Sequence, residues 1–167
     1  VKKLGAFGSD LACLSHFFTV PWGQPAAGLP DREKAVVLSW AAFGLRALGR
    51  LWEAVQPMKA GLEMLVQQKN WKQAAAQASN LSELLLTLGD VPGAVAAARQ
   101  SVTHADQSGD EFERESDRTT LADALQPSGA AAGAEEWFRE AEAMQKERRP
   151  GPRYPYLLRG FRFCARL

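Results

Sequence analysis

At 167 residues the chain is long enough for one domain with a sizeable core. Hydrophobic residues make up 46% and charged residues 23%, an ordinary globular composition, and 20 Lys and Arg against 19 Asp and Glu leave a formal charge of +1. That balance argues against a dedicated nucleic-acid binder. Cys13 and Cys164, at opposite ends, point to a reducing, cytoplasmic setting rather than a disulfide scaffold.

The start, Val1-Lys2-Lys3-Leu4, has the outline of a secretory leader, but Asp10 interrupts its apolar stretch and no small-x-small cleavage site precedes Pro21. A first residue other than Met suggests a piece of a longer protein. Ser9 to Phe18 is predicted as a short helix with Leu11, Leu14, Phe17 and Phe18 apolar. Thr19 to Pro30, with three prolines and two glycines, reads as an extended linker. No apolar run approaches the ~20 residues that a bilayer requires, so no membrane contact is expected.

From Asp31 onward the sequence repeats itself. Gly49, Gly89 and Gly129 recur at intervals of 40, and so do Ala54, Ala94 and Ala134, then Leu45, Leu85 and Leu125, and the small residues Gly61, Ser101 and Ala141. Before each glycine, apolar residues fall at helical spacing, as in Leu38, Ala41, Ala42, Leu45 and Leu48. A second amphipathic stretch follows, as in Ala94, Val95, Ala98 and Val102. Each glycine stands where a helix ends in a left-handed residue. Asn70-x-x-Gln73 and Asp110-x-x-Glu113 are predicted capping boxes, and Asp90 caps the helix after Gly89. Three helical pairs result, over 31–69, 70–109 and 110–147. Pro127 ends the fifth of these stretches early.

Charge is uneven across the last third. Residues 110–147 carry eleven acidic and four basic side chains, whereas residues 148–167 carry six arginines and no acid. The simpler reading is a basic final helix, roughly Tyr154–Arg166, that caps and neutralises the acidic pair before it. The sharper one, arginines interleaved with aromatics that stack on nucleic acid, is opposed by the adjacent acidic block.

The order leucine, small residue, leucine, glycine, then alanine, a large apolar and a small residue resembles the tetratricopeptide repeat family. The second copy carries it on Leu81-Ser82, Leu85, Gly89, Ala94, Ala98 and Ser101. The first uses Ala41-Ala42, Leu45, Gly49, Ala54, Met58 and Gly61, and the third Leu121-Ala122, Leu125, Gly129, Ala134, Phe138 and Ala141. The resemblance spans residues 31–147, with a period of 40 where the family has 34. It implies an all-α fold: a right-handed solenoid of stacked antiparallel helix pairs, with residues 1–30 and 148–167 as flanking elements that cap its ends. It also implies a concave groove for a partner segment, lined by the first helix of each pair. Carried over by register, the lining is Ser39, Trp40, Phe43 and Arg46, then Ser79, Asn80, Glu83 and Leu86, then Thr119, Thr120 and Asp123. Glu83 and Asp123 would repel a carboxylate tail, so a neutral or basic segment is the expected partner. The Pro-rich linker, through Trp22, is expected to lie along this wall over Trp40 and Phe43.

Catalysis finds little material. His104, Asp106 and Ser108 do not converge on one helix face, Cys13-x-x-His16 has no second ligand pair, and Glu135-Glu136 and Glu111/Glu115 read as solvated helix faces. The expectation is a non-enzymatic protein–protein interaction scaffold without metal or cofactor. The alternatives are a self-assembling module that forms a homo-oligomer, or a regulatory repeat segment of a larger signalling protein.

Overall fold

The computed structural model describes residues 6–148. The first and last residues, with the C-terminal helix expected over Tyr154–Arg166, lie outside the described part. The chain divides into two compact units, Val1–Asn70 and Trp71–Leu167.

The first unit holds α1 (Phe7–Ser15), a two-stranded ribbon of β1 (Phe18–Val20) and β2 (Gln24–Pro25), and the helices α2 (Asp31–Ala47) and α3 (Leu51–Gln67). The second holds α4 (Trp71–Thr87), α5 (Val91–Ser108), α6 (Glu111–Leu125) and α7 (Ala131–Arg148). Adjacent helices pack as pairs: α2 with α3, α4 with α5, and α6 with α7, with α6 also against α4 and α5. The described chain is therefore helical apart from the ribbon.

Helix starts from α2 onward fall at Asp31, Leu51, Trp71, Val91, Glu111 and Ala131, twenty residues apart at every step. The same stride governs the stops. Gly49, Gly89, Gly109 and Gly129 have φ of 74°, 84°, 68° and 82°, and Lys69 keeps the register at 54° without being glycine. At three of these stops the hydrogen bonds coincide. The amides of Arg50, Asn70 and Asp90 each donate to the carbonyl five residues back, on Leu45, Leu65 and Leu85, at 2.9 Å. The amides of Gly49, Lys69 and Gly89 donate in turn to the carbonyls of Arg46, Val66 and Leu86 at 3.0 Å, and the two hydrogen bonds at each stop satisfy carbonyls that a helix end leaves orphaned. The stops fix where each helix ends, and side chains fix two of the starts. Asp90 accepts from the Gly93 amide at 2.9 Å, and Asp110 from that of Glu113 at 3.0 Å. α6, with 15 residues, is two shorter than α4, and Gln126-Pro127 follows its last residue.

The core is small-residue rich. Ala41, Ala42, Ala74, Ala78, Ala94, Ala98 and Ala134 are buried, and Leu38, Leu45, Leu84, Leu85 and Phe138 fill the space beside them. Gly44 serves the close seat of α1: a β-carbon there would stand 3.0 Å from the Leu11 side chain, which is buried against α2.

The N-terminal segment departs from expectation twice. α1 starts at Phe7 and ends at Ser15, which leaves Phe17 exposed and gives Phe18 to a strand. Thr19 to Pro30 is not a continuous extended linker. Its first part folds back as an antiparallel ribbon, Val20 opposite Gln24, around Trp22 at φ 62°. The Trp22 ring meets Phe18 edge-on at 5.5 Å, and the ribbon lies against Gln56 of α3, whose amide would be 2.7 Å from a β-carbon on Gly23.

Lys69 pays the left-handed cost that glycine avoids. Lys69→Gly is expected to raise stability by about 1 kcal/mol. Urea unfolding checks this, and an unchanged or lower midpoint contradicts the role of the left-handed stop.

Candidate functional site

α2 has two apolar faces. Leu38, Ala41, Ala42 and Leu45 are packed in the core, while Val36, Trp40 and Phe43, spaced i, i+4, i+7, run along the opposite side and stay 46%, 48% and 50% exposed. Trp40 and Phe43 meet edge-to-face at 6.0 Å, and Phe7 of α1 joins Phe43 at 5.8 Å. The ring that extends this cluster is thus on α1. The ribbon does not bury Trp40 and Phe43, contrary to the expected cover by the linker. Ser39 is half-buried and donates to the Ala35 carbonyl at 2.9 Å; Arg46 is half-buried near the end of the same helix.

In the second unit the predicted lining splits. Asn80 is exposed, and Glu83, Leu86 and Asp123 are half-buried. Ser79 Oγ lies 2.9 Å from Thr120 Oγ1, a bond between α4 and α6. Thr119 and Thr120 are only 1% and 3% exposed, so they are closed to a partner segment, unlike Ser79 and Asn80 at the matching register. Thr119 Oγ1 donates to the Ser116 carbonyl at 2.6 Å, which satisfies the hydroxyl inside its own helix.

A charged cluster between α5, α6 and α7 was not anticipated. The Arg118 side chain is 7% exposed. Its Nη1 and Nη2 donate to Asp106 Oδ1 and Oδ2 at 3.0 and 3.2 Å, and its Nε to Glu140 Oε1 at 2.7 Å. Trp137 lies beneath the guanidinium, 5.9 Å from ring centroid to Cζ. Arg114 Nε adds a second donor to Asp106 at 3.0 Å. Burial works against the Asp106 charge, but the bonds from Arg118 and Arg114 outweigh it and hold the carboxyl below its ordinary 3.8. Burial likewise opposes the Arg118 charge, and Asp106 and Glu140 overcome it. The fork of the guanidinium is what lets one buried cation serve both carboxylates.

Glu115 and Asp117 are 2% and 1% exposed, so Glu115 is no solvated face as expected. Arg148, the last described residue, pairs with Glu115 and stands over Phe112, 5.8 Å from its ring centroid. The register carried a signal for this cluster. Positions 115 and 118 match Ala35 and Leu38, and Ala75 and Ala78, all buried.

The acid–base candidates are placed apart. His104 stacks on Trp71 at 5.7 Å with 16° between the rings, and its Nδ1 is 3.3 Å from Gln107 Oε1, while Asp106 is held by arginines. Cys13 is an exposed free thiol, and His16 Nδ1 faces the Ala12 carbonyl at 3.0 Å. Glu135 pairs with Arg139 on the surface, as expected for a solvated face. Among the described residues there is no group of three metal-ligating side chains, and no helix long and apolar enough to cross a membrane. No known protein-family profile matches the chain, and no curated protein does.

The depressed Asp106 pKa ties stability to pH. A carboxyl with a lower pKa when folded contributes stability above its unfolded value of 3.8, and that contribution fades as pH falls through the folded value. Urea midpoints are therefore expected to drop between pH 6 and pH 3, and to drop less in Asp106→Asn. Equal drops in both proteins contradict the assignment.

Proposed function

We propose that this chain is a non-enzymatic scaffold for protein–protein interaction, built as a right-handed, tetratricopeptide-like solenoid with a 40-residue period. The paired helices and their even spacing support the architecture. The observation that carries the function is the Val36–Trp40–Phe43 stripe, three large apolar side chains half exposed on the side of α2 that its own core does not use. An apolar stripe at that spacing, with two aromatic anchors, is the kind of surface on which a partner segment loses water. Taken by itself, the second unit carries Glu83 and Asp123 at the register positions of the groove, and their charge favours a neutral or basic segment over a carboxylate tail.

A second reading draws on the same stripe: self-assembly, in which another copy covers Val36, Trp40 and Phe43. Light scattering over a concentration series separates the two, because a scaffold for other proteins keeps one mass throughout.

Selection of displayed peptides on the full chain tests the proposal. Enriched peptides are expected to be neutral or basic with an apolar anchor, and to bind Trp40→Ala at least about tenfold more weakly than the parent. Peptides that bind both proteins equally, or the absence of enrichment, contradict it.

A further inference from the structure

The α1 helix is held in place by little. Of its nine residues only Leu11 is buried, and Ala6 before it gives its first amides no side-chain cap. So short a helix does not stand alone in water, and α1 depends on its seat. Among the described residues its side-chain hydrogen bonds, and those of its C-cap, stay within its own turns. Ser15 Oγ donates to the Ala12 carbonyl at 2.7 Å, and His16 Nδ1 stands 3.0 Å from the same oxygen. The join to α2 is apolar contact, at Leu11 and at Phe7. Leu11 lies so close over Gly44 that a β-carbon there would stand 3.0 Å from its Cγ and Cδ2, and the Phe7 ring meets Phe43 edge-on at 5.8 Å. Phe43 is still half exposed beneath that contact.

We propose that α1 is a displaceable strap on the Val36–Trp40–Phe43 stripe: Phe7 holds the place of a partner's apolar anchor, and a partner segment engages the whole stripe only when α1 leaves. The competition rests on the scaffold reading, but the release of α1 from its seat does not. Docked, α1 buries Leu11 and one side of Phe43. Released, it loses that burial and regains the freedom of a short chain, while residues 16–30 keep it tethered at an effective concentration on the order of millimolar. A ligand that takes Phe43 only in the released state draws α1 off, and its apparent affinity is lowered in proportion to the molecules still strapped. Gly44 sets that proportion. Glycine weakens a helix interior, and here it gives Leu11 its depth against α2.

The test compares the full chain with Gly44→Ala and Leu11→Ala. The first crowds Leu11 while making α2 a better helix former, the second empties the seat, and neither alters the stripe. Amide hydrogen exchange of α1 is expected to quicken at least about tenfold in both, with α2 and α3 still protected as the sign that each variant is folded. With no partner present, the apolar dye anilinonaphthalene sulfonate is expected to fluoresce at least about threefold more strongly on Gly44→Ala, and adding Trp40→Ala is expected to remove the gain. Peptides selected on the parent are expected to bind both variants at least about threefold more tightly. Unchanged α1 exchange in both variants overturns the seat. Faster exchange with unchanged dye binding overturns the strap, and so does a dye gain that survives Trp40→Ala. Failure of the peptide selection alone removes the scaffold reading while exchange and dye still report the strap, so the two failures are distinguishable.

Discussion

One backbone constraint orders this chain: every twenty residues a single position adopts positive φ and stops a helix. A helix of about 17 residues plus three turn residues gives that stride, and two strides give the 40-residue repeat. At Gly49, Lys69 and Gly89 the stop is made by the same pair of amide-to-carbonyl bonds, and the helix after each starts two residues later. The small residues Ala54 and Ala94 then fall on the packed face of their helices without further adjustment. Four of the five stops are glycine, for which the left-handed region is free of side-chain conflict.

Much of this was legible in the sequence because the signals are local. Glycine at a helix end, aspartate at a helix start and the 3.6-residue apolar period each act within one turn, so Gly89, Asp90, Asp110 and Leu85 could be placed from the sequence. Lys69 could not, since nothing in a lysine announces positive φ; only the stride reveals it. The ribbon around Trp22 was hidden for a similar reason. Its strands are three and two residues long, below the length at which alternation can be read, and its turn uses a tryptophan where a glycine would be the usual sign.

The candidate site was legible in part. Trp40 and Phe43 were singled out because Ala41, Ala42 and Leu45 claim the packing side, and the half exposure of both rings follows from that geometry. Thr119 and Thr120 were transferred to the groove by register alone, and register does not report how many neighbours a helix has. α6 packs against α4, α5 and α7. Glu115 was read as a solvated face, and the buried role of Arg118 was missed, because charge on a helix suggests solvent. The repeat made the opposite inference available: a charge at a position that is apolar in the other copies must be paired. Here Asp106 and Glu140 provide the pairing, and their own partial exposure moderates the desolvation cost.

The third pair therefore holds together differently from the second. Where α4 and α5 meet through alanine, leucine and valine, α6 and α7 add a buried guanidinium that reaches across three helices. The two kinds of core respond to different conditions, the first to loss of volume and the second to pH and salt. Both depend on the stops that set the phase of each helix. The most direct test of that dependence is at Gly89, where a β-carbon would meet nothing within 4 Å, so only backbone preference is at stake. Semisynthetic proteins with L-alanine and with D-alanine at position 89 are compared by urea unfolding. L-alanine is predicted to lower stability by about 1 kcal/mol and D-alanine, which favours positive φ, to raise it. Equal effects from the two enantiomers would contradict the account.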